Sequence, residues 1–158
     1  MYMESEDLFA SLEKHLKDID EIEIILLKGH LILEQILNEM LMIYIQDESD
    51  LDKLNLSFSR KLDLLSALMN GQKVSIFEFQ QLREINRIRN RLAHDLDFSR
   101  NHSDLKAWAC KILGYTPVTI DRKRTYKNTL LKAFYFLTAF LLGATKEIKA
   151  NSHVEHAK

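Results

Sequence analysis

Arg89, Asn90 and His94 fall in one short run, Arg89-Asn90-Arg91-Leu92-Ala93-His94. Arginine presents a permanently charged, planar fork of donors that matches the oxygens of a phosphate. Histidine takes up and releases protons near neutral pH. An amide beside them can orient either the phosphate or the imidazole. These are the residue types that metal-free RNA cleavage needs: a proton acceptor at the ribose 2′-hydroxyl, a donor at the leaving 5′-oxygen, and a cation for the charge building on phosphorus. The plainer reading of the same run is a solvated helix face that happens to carry a histidine.

The surrounding periodicity is helical. At about 100° per residue, Ile85, Ile88, Leu92 and Leu96 form one narrow stripe, predicted to face the core. Arg83, Arg87, Asn90 and His94 form the opposite stripe and stack along one surface, with Arg89 and Arg91 on its flanks. Four arginines so close together repel one another unless something negative is near. Glu84, Asp95 and Asp97 supply part of that, and the acidic segment 48–52 would supply more if the face were only a network of ion pairs. The phosphates of RNA would supply it otherwise, with Arg83, Arg87 and Arg91 as backbone contacts. Arg89 and His94 diverge by roughly 140° on an ideal helix. Two copies packed across a twofold axis would bring both to a shared groove, so the spacing predicts a homodimer.

The elements that must position these residues are predicted from apolar spacing and end signals. An amphipathic helix over about 4–17 carries Leu8, Leu12 and Leu16, and a long one over about 19–45 is apolar around much of its circumference. Residues 46–55 read as an acidic loop. Ser57 is a plausible N-cap for a helix that stops at Asn70-Gly71, with Leu62, Leu65, Leu68 and Met69 on its apolar side. Ser75, with Glu78 three residues on, resembles a capping box for the helix that ends near His94. After a polar loop over 95–103, Ser103 would cap a helix to Leu113, and Gly114 stops it. Residues 115–121, with Pro117, read as loop. A last helix covers about 125–150, and 151–158 read as a disordered tail. The expectation is a single all-α domain over 1–150, a bundle of about five helices.

Composition sets the limits. The chain has 158 residues, enough for one domain with a real core, and its 46% hydrophobic and 28% charged residues suit a folded protein. A net charge of −1 argues against coating nucleic acid by bulk attraction, so any contact has to be a local basic patch. Cys110 is the single cysteine, which excludes an internal disulfide. The histidines are scattered, and no Cys/His pairs have metal-ligand spacing. The start of the chain is acidic where a signal peptide is basic. The uncharged stretch 133–145 is too short for a bilayer span of roughly 20 residues. A soluble cytoplasmic protein with no metal and no cofactor is expected.

Arg122-Lys123-Arg124, with Tyr126 and Lys127, is a second basic cluster. It would hold a phosphate backbone and stack a base, or simply sit in solvent. Phe134, Tyr135, Phe136, Phe140 and Leu141 read as core or dimer packing, and His30 as a satisfied core or interface histidine.

An arginine, a polar residue, a short spacer and a histidine near the end of a helix resemble the hallmark of the HEPN superfamily. Arg89, Asn90 and His94 match that pattern with a spacer of four. The segments Gly29-His30-Leu31-Ile32-Leu33-Glu34 and Phe58-Ser59-Arg60-Lys61-Leu62-Asp63-Leu64-Leu65 are similar to bacterial members, so the likeness covers about 22–97. It implies a dimeric helical bundle, often a metal-independent endoribonuclease that serves as a toxin of a toxin–antitoxin pair or in phage defence, with a possible antitoxin protein as partner. His94 would then be general base or acid, Arg89 would stabilise the phosphorane, and Asn90 would orient phosphate or imidazole. Leu96 stands where toxins controlled by adenylylation often carry a tyrosine, which argues against that control. Mannitol-operon repressor-type proteins are similar in size and helical content, so a catalytically silent interaction or regulatory module is the alternative implied.

Overall fold

A helix that is apolar around most of its circumference has to be covered on several sides, and that requirement organises this molecule. A computed structural model describes residues 5–45, 47–69, 76–115, 120 and 122–155. Among them are seven α-helices, one 3-10 turn and no strand, an all-α architecture. The helices are α1 (Ser5–Leu16), α2 (Ile22–Ile45), α3 (Glu48–Leu54), α4 (Phe58–Leu68), α5 (Ile76–His94), α6 (His102–Leu113) and α7 (Lys123–Glu155), with the 3-10 turn Phe98–Asn101 leading into α6. α2 is the axis: α1, α3, α4, α5 and α7 all pack on it, and α6 bridges α5 and α7. Ile25, Leu26, Leu33, Ile36, Leu37, Met40 and Leu41 of α2 are fully buried.

α2 and α7 approach closely at Gly29. A Cβ added at Gly29 would stand 2.6 Å from the ring of Phe134, which is itself fully buried. The missing side chain is therefore what lets the two helices meet. The Phe134 ring also lies 5.2 Å from that of Trp108 on α6. The Trp108 indole N–H donates to the Gln81 carbonyl of α5 at 3.0 Å, which ties α5, α6 and α7 together. By length and composition α7 is the one helix among the described residues apolar enough to cross a membrane, and half of its most apolar window is buried inside the fold.

Several expectations are corrected. Residues 46–55 are not a plain loop, because α3 forms there, and the bundle has seven helices where the periodicity predicts about five. The Asp47 carboxylate accepts from the Ser49 N–H at 2.8 Å, Leu51 is buried, and Asn55 closes the helix in the left-handed region at φ 45°. The apolar stripe of α5 ends with Leu92, since the helix stops at His94 and Leu96 is fully exposed. α6 begins at His102 rather than behind a Ser103 cap, and Ser103 Oγ donates to the Arg100 carbonyl instead. α7 starts at Lys123 and runs to Glu155, past the expected end at Ala150. Ser57 caps α4 as expected, its Oγ accepting from the Arg60 N–H at 3.4 Å. Gly114 ends α6 at φ 66°. The Asn70-Gly71 stop, the Ser75 cap, the Pro117 loop and the tail 156–158 lie outside the described residues.

Candidate functional site

α5 places its four arginines in different settings. Arg83 Nη1 lies 2.8 Å from Asp63 of α4 in an exposed ion pair. Arg87 pairs with Glu84 one turn back, Nε to Oε2 at 3.0 Å. Arg91 Nη1 donates to Asp104 Oδ2 of α6 at 2.5 Å and to Asn101 Oδ1 at 3.3 Å. That contact clamps the chain just after the histidine. Asp95 and Asp97, expected to balance the arginines, accept from the backbone N–H groups of Asp97 and Ser99 at 3.2 and 3.0 Å. The hydrogen bonds from Ser99 hold the Asp97 carboxyl below the usual carboxylate range. Arg89 differs from the other three. Among the described residues it has no carboxylate partner; its Nη1 donates to Asn90 Oδ1 at 3.2 Å, and its side chain lines a cleft.

That cleft, of about 260 Å³, lies between α2, α4 and α5. Its walls are His30 and Glu34 of α2, Ser57, Phe58 and Ser59 at the start of α4, and Asn86, Arg89 and Asn90 of α5. A chain of hydrogen bonds runs along its base. His30 Nε2 is 3.0 Å from Asn86 Oδ1, and Asn86 Nδ2 donates to Ser59 Oγ at 3.1 Å. An amide oxygen only accepts, so the proton of this imidazole sits on Nε2. Burial pushes the His30 pKa down, against the opposing pull of the Asn86 hydrogen bond, so the ring is neutral. The His30 ring lies 4.3 Å from that of Phe58. Glu34 is answered by Lys61 Nζ at 2.7 Å. The segments 29–34 and 58–65, far apart in sequence, thus reach the same cleft as Arg89 and Asn90.

His94 is the last residue of α5 and is exposed; it does not line the cleft. α5 runs unbroken from Arg89 to His94, so the divergence read from the sequence stands. Asn90 lies between them in angle, about 100° from Arg89 and about 40° from His94. A single chain therefore presents the arginine and the histidine on two sides of one helix end.

The second basic cluster is elsewhere. Arg122, Lys123 and Arg124 are exposed at the start of α7. Tyr126, expected to stack a base, is instead buried: its hydroxyl is 3.0 Å from His102 Nδ1, and Lys106 sits over its ring. Burial raises the pKa of its phenol. The opposite ring nitrogen of His102 faces Glu23 at 3.3 Å, and Lys127 pairs with Asp20 at 2.7 Å. This cluster meets α2 near Glu23, roughly 10 Å along the axis from His30 at 1.5 Å per residue.

Sequence reasoning passed over His30, Ser59 and Asn86 as site residues. The available signal was the spacing of Asn86, Arg89 and Asn90, three and four residues apart and so on one helix face. Among the described residues no group of His, Cys, Asp or Glu converges as a metal site would. No family model, curated protein or solved structure matches the chain.

Proposed function

We propose that this protein is a metal-independent endoribonuclease of the HEPN type, working as a homodimer in the setting of a toxin or a phage-defence component. The observation that carries the reading is the contrast within α5. Arg83, Arg87 and Arg91 are each answered by a carboxylate, whereas Arg89, the arginine of the motif, faces an open cleft beside Asn90. A cation left without a carboxylate beside a polar cleft is suited to a phosphate.

In this reading His94 removes the proton of the ribose 2′-hydroxyl. The 2′-oxygen then bonds to phosphorus, the bond from phosphorus to the 5′-oxygen breaks, and the leaving oxygen takes up a proton from an imidazolium. The products are a 2′,3′-cyclic phosphate and a 5′-hydroxyl. Arg89 stabilises the charge that grows on the non-bridging oxygens, and Asn90 orients the phosphate or the imidazole. Arg83, Arg87 and Arg91, with Arg122, Lys123 and Arg124 further off, hold the RNA backbone, the paired ones by exchanging a carboxylate for a phosphate. The test is incubation of labelled mixed-sequence RNA with the protein in EDTA, with His94→Ala beside it. Positioned proton transfer accounts for roughly 10²–10⁴-fold in rate, so the variant should lose at least about a hundredfold.

A second reading is a catalytically silent HEPN-like module that binds a protein partner, as in mannitol repressor-type proteins. It is favoured by the separation of Arg89 and His94 within one chain. A protein that binds a partner and leaves RNA intact, with and without that partner, would establish it.

A further inference from the structure

We propose that the cleft between α2, α4 and α5 seats one phosphate group of a nucleic-acid backbone, held by the Arg89 guanidinium, the Ser59 hydroxyl and the free amides at the start of α4. The proposal rests on the nuclease reading for the nature of its ligand, but the seat itself does not require that cleavage occurs.

Four observations converge on an anion. First, Arg89 lines the cleft beside Asn90, to whose Oδ1 its guanidinium donates, without a carboxylate partner among the described residues. Second, α4 begins there. Ser57 Oγ accepts from the Arg60 N–H and the Ser57 carbonyl from the Lys61 N–H. The N–H groups of Phe58 and Ser59, in the first turn, have no partner within the helix, and the helix dipole adds positive potential at that end.

Third, the buried hydrogen-bond chain has one direction. His30, 3% exposed, donates from Nε2 to Asn86 Oδ1, and Asn86, 8% exposed, donates from Nδ2 to Ser59 Oγ. Ser59 Oγ is thereby used as an acceptor, which leaves its proton free to donate into the cleft. Two buried side chains are thus arranged to present a donor at the surface.

Fourth, the remaining charges cancel. Glu34, the carboxylate on the wall, is bridged by Lys61, and the neutral His30 adds none, so Arg89 leaves the cleft with a net positive charge. At about 260 Å³ the space falls below the roughly 300–1,000 Å³ that encloses a drug-sized ligand. It suits a phosphate with part of its sugar, the rest of the chain lying outside.

The experiment is an amide NMR titration of the intact protein, first with inorganic phosphate and then with a 2′-O-methylated oligoribonucleotide. The oligonucleotide lacks the attacking hydroxyl and stays uncut. Phosphate should shift the Phe58 and Ser59 amides saturably, more than chloride does at matched ionic strength, and the oligonucleotide should displace it. Ser59→Ala, at an exposed position, removes the donor hydroxyl together with the acceptor of Asn86 Nδ2 and should weaken phosphate by about ten- to a hundredfold, the effect of one hydrogen bond to a charged group. Asn86→Asp should abolish the response, because a carboxylate would draw the Ser59 proton inward and add a negative charge. Amides that ignore phosphate, or a Ser59→Ala protein that binds it as the wild type does, overturn the seat. Failure of the oligonucleotide to displace phosphate overturns its assignment to a nucleic-acid backbone. RNA cleavage without the amide response would sink the seat and leave the nuclease standing, and the response without cleavage would do the reverse.

Discussion

Arg89 and His30 show what a single residue's setting adds to its type. The sequence singles out Arg89 by its spacing to His94, yet it does not show that Arg83, Arg87 and Arg91 are each paired with a carboxylate while Arg89 is not. That distinction comes from Asp63 and Asp104 on other helices and from Glu84. His30 could be recognised as buried from the apolar residues around it. Its partner, Asn86, lies 56 positions away, beyond any local pattern. The charged and titratable groups acting on His30 are Arg89, Glu34 and Lys61, and burial outweighs them in keeping the ring neutral. The imidazole pKa in the folded state is thus below its ordinary value of about 6.5. Between the two values the unfolded chain binds the extra proton and the folded one does not, so stability is full above about 6.5 and falls as the pH drops toward the folded value. Melting temperatures taken from pH 8 to pH 5 should therefore decline more for the wild type than for His30→Gln, which lacks the titrating ring. Parallel declines would mean that His30 is not held neutral.

At the scale of elements, the strongly periodic helices were legible, and so were α4 and α6 through the Ser57 cap and the Gly114 stop, whereas α3 was not. α2, α5 and α7 have enough apolar residues at helical spacing to identify themselves, and Leu12 and Leu16 of α1 are buried as their spacing predicts. α3 has a single buried leucine, Leu51, and an exposed one, Leu54. It depends on the Asp47 cap and the Asn55 stop, which periodicity cannot register. Leu96 fits the α5 stripe by angle but falls past the helix end, where Asp95 and Asp97 turn the chain by accepting from backbone amides. The need for glycine at position 29 is likewise invisible locally, since it is set by Phe134 on α7. Alanine normally favours a helix over glycine by about 1 kcal/mol. Here the added methyl meets a fully buried ring, and overpacking costs roughly 1–3 kcal/mol. Gly29→Ala should thus lower the denaturation midpoint. A raised midpoint would mean that α2 and α7 are less closely packed than described.

For the whole molecule, the proposed nuclease needs two chains for one site. Arg89 lines the α2/α4/α5 cleft and His94 is exposed at the end of α5 on another side of the helix, so in the proposed nuclease the arginine of one copy works with the histidine of the other. Complementation tests this. Arg89→Ala and His94→Ala proteins should each be inactive, and mixing them under conditions that exchange subunits should restore cleavage, because the mixed dimer keeps one site with both groups intact. A mixture as inactive as its parents would place both groups of a site in the same chain. The all-α class could be read from the sequence because helical spacing is local. The proposed division of the site between copies rests on the angle between two residues. The most direct measurement remains RNA cleavage in EDTA by the wild type and by His94→Ala. A HEPN-type nuclease should give cleavage by the wild type alone, leaving 2′,3′-cyclic phosphate ends. Undiminished cleavage by the variant, loss of cleavage on removing divalent metal, or intact RNA with both proteins would contradict it.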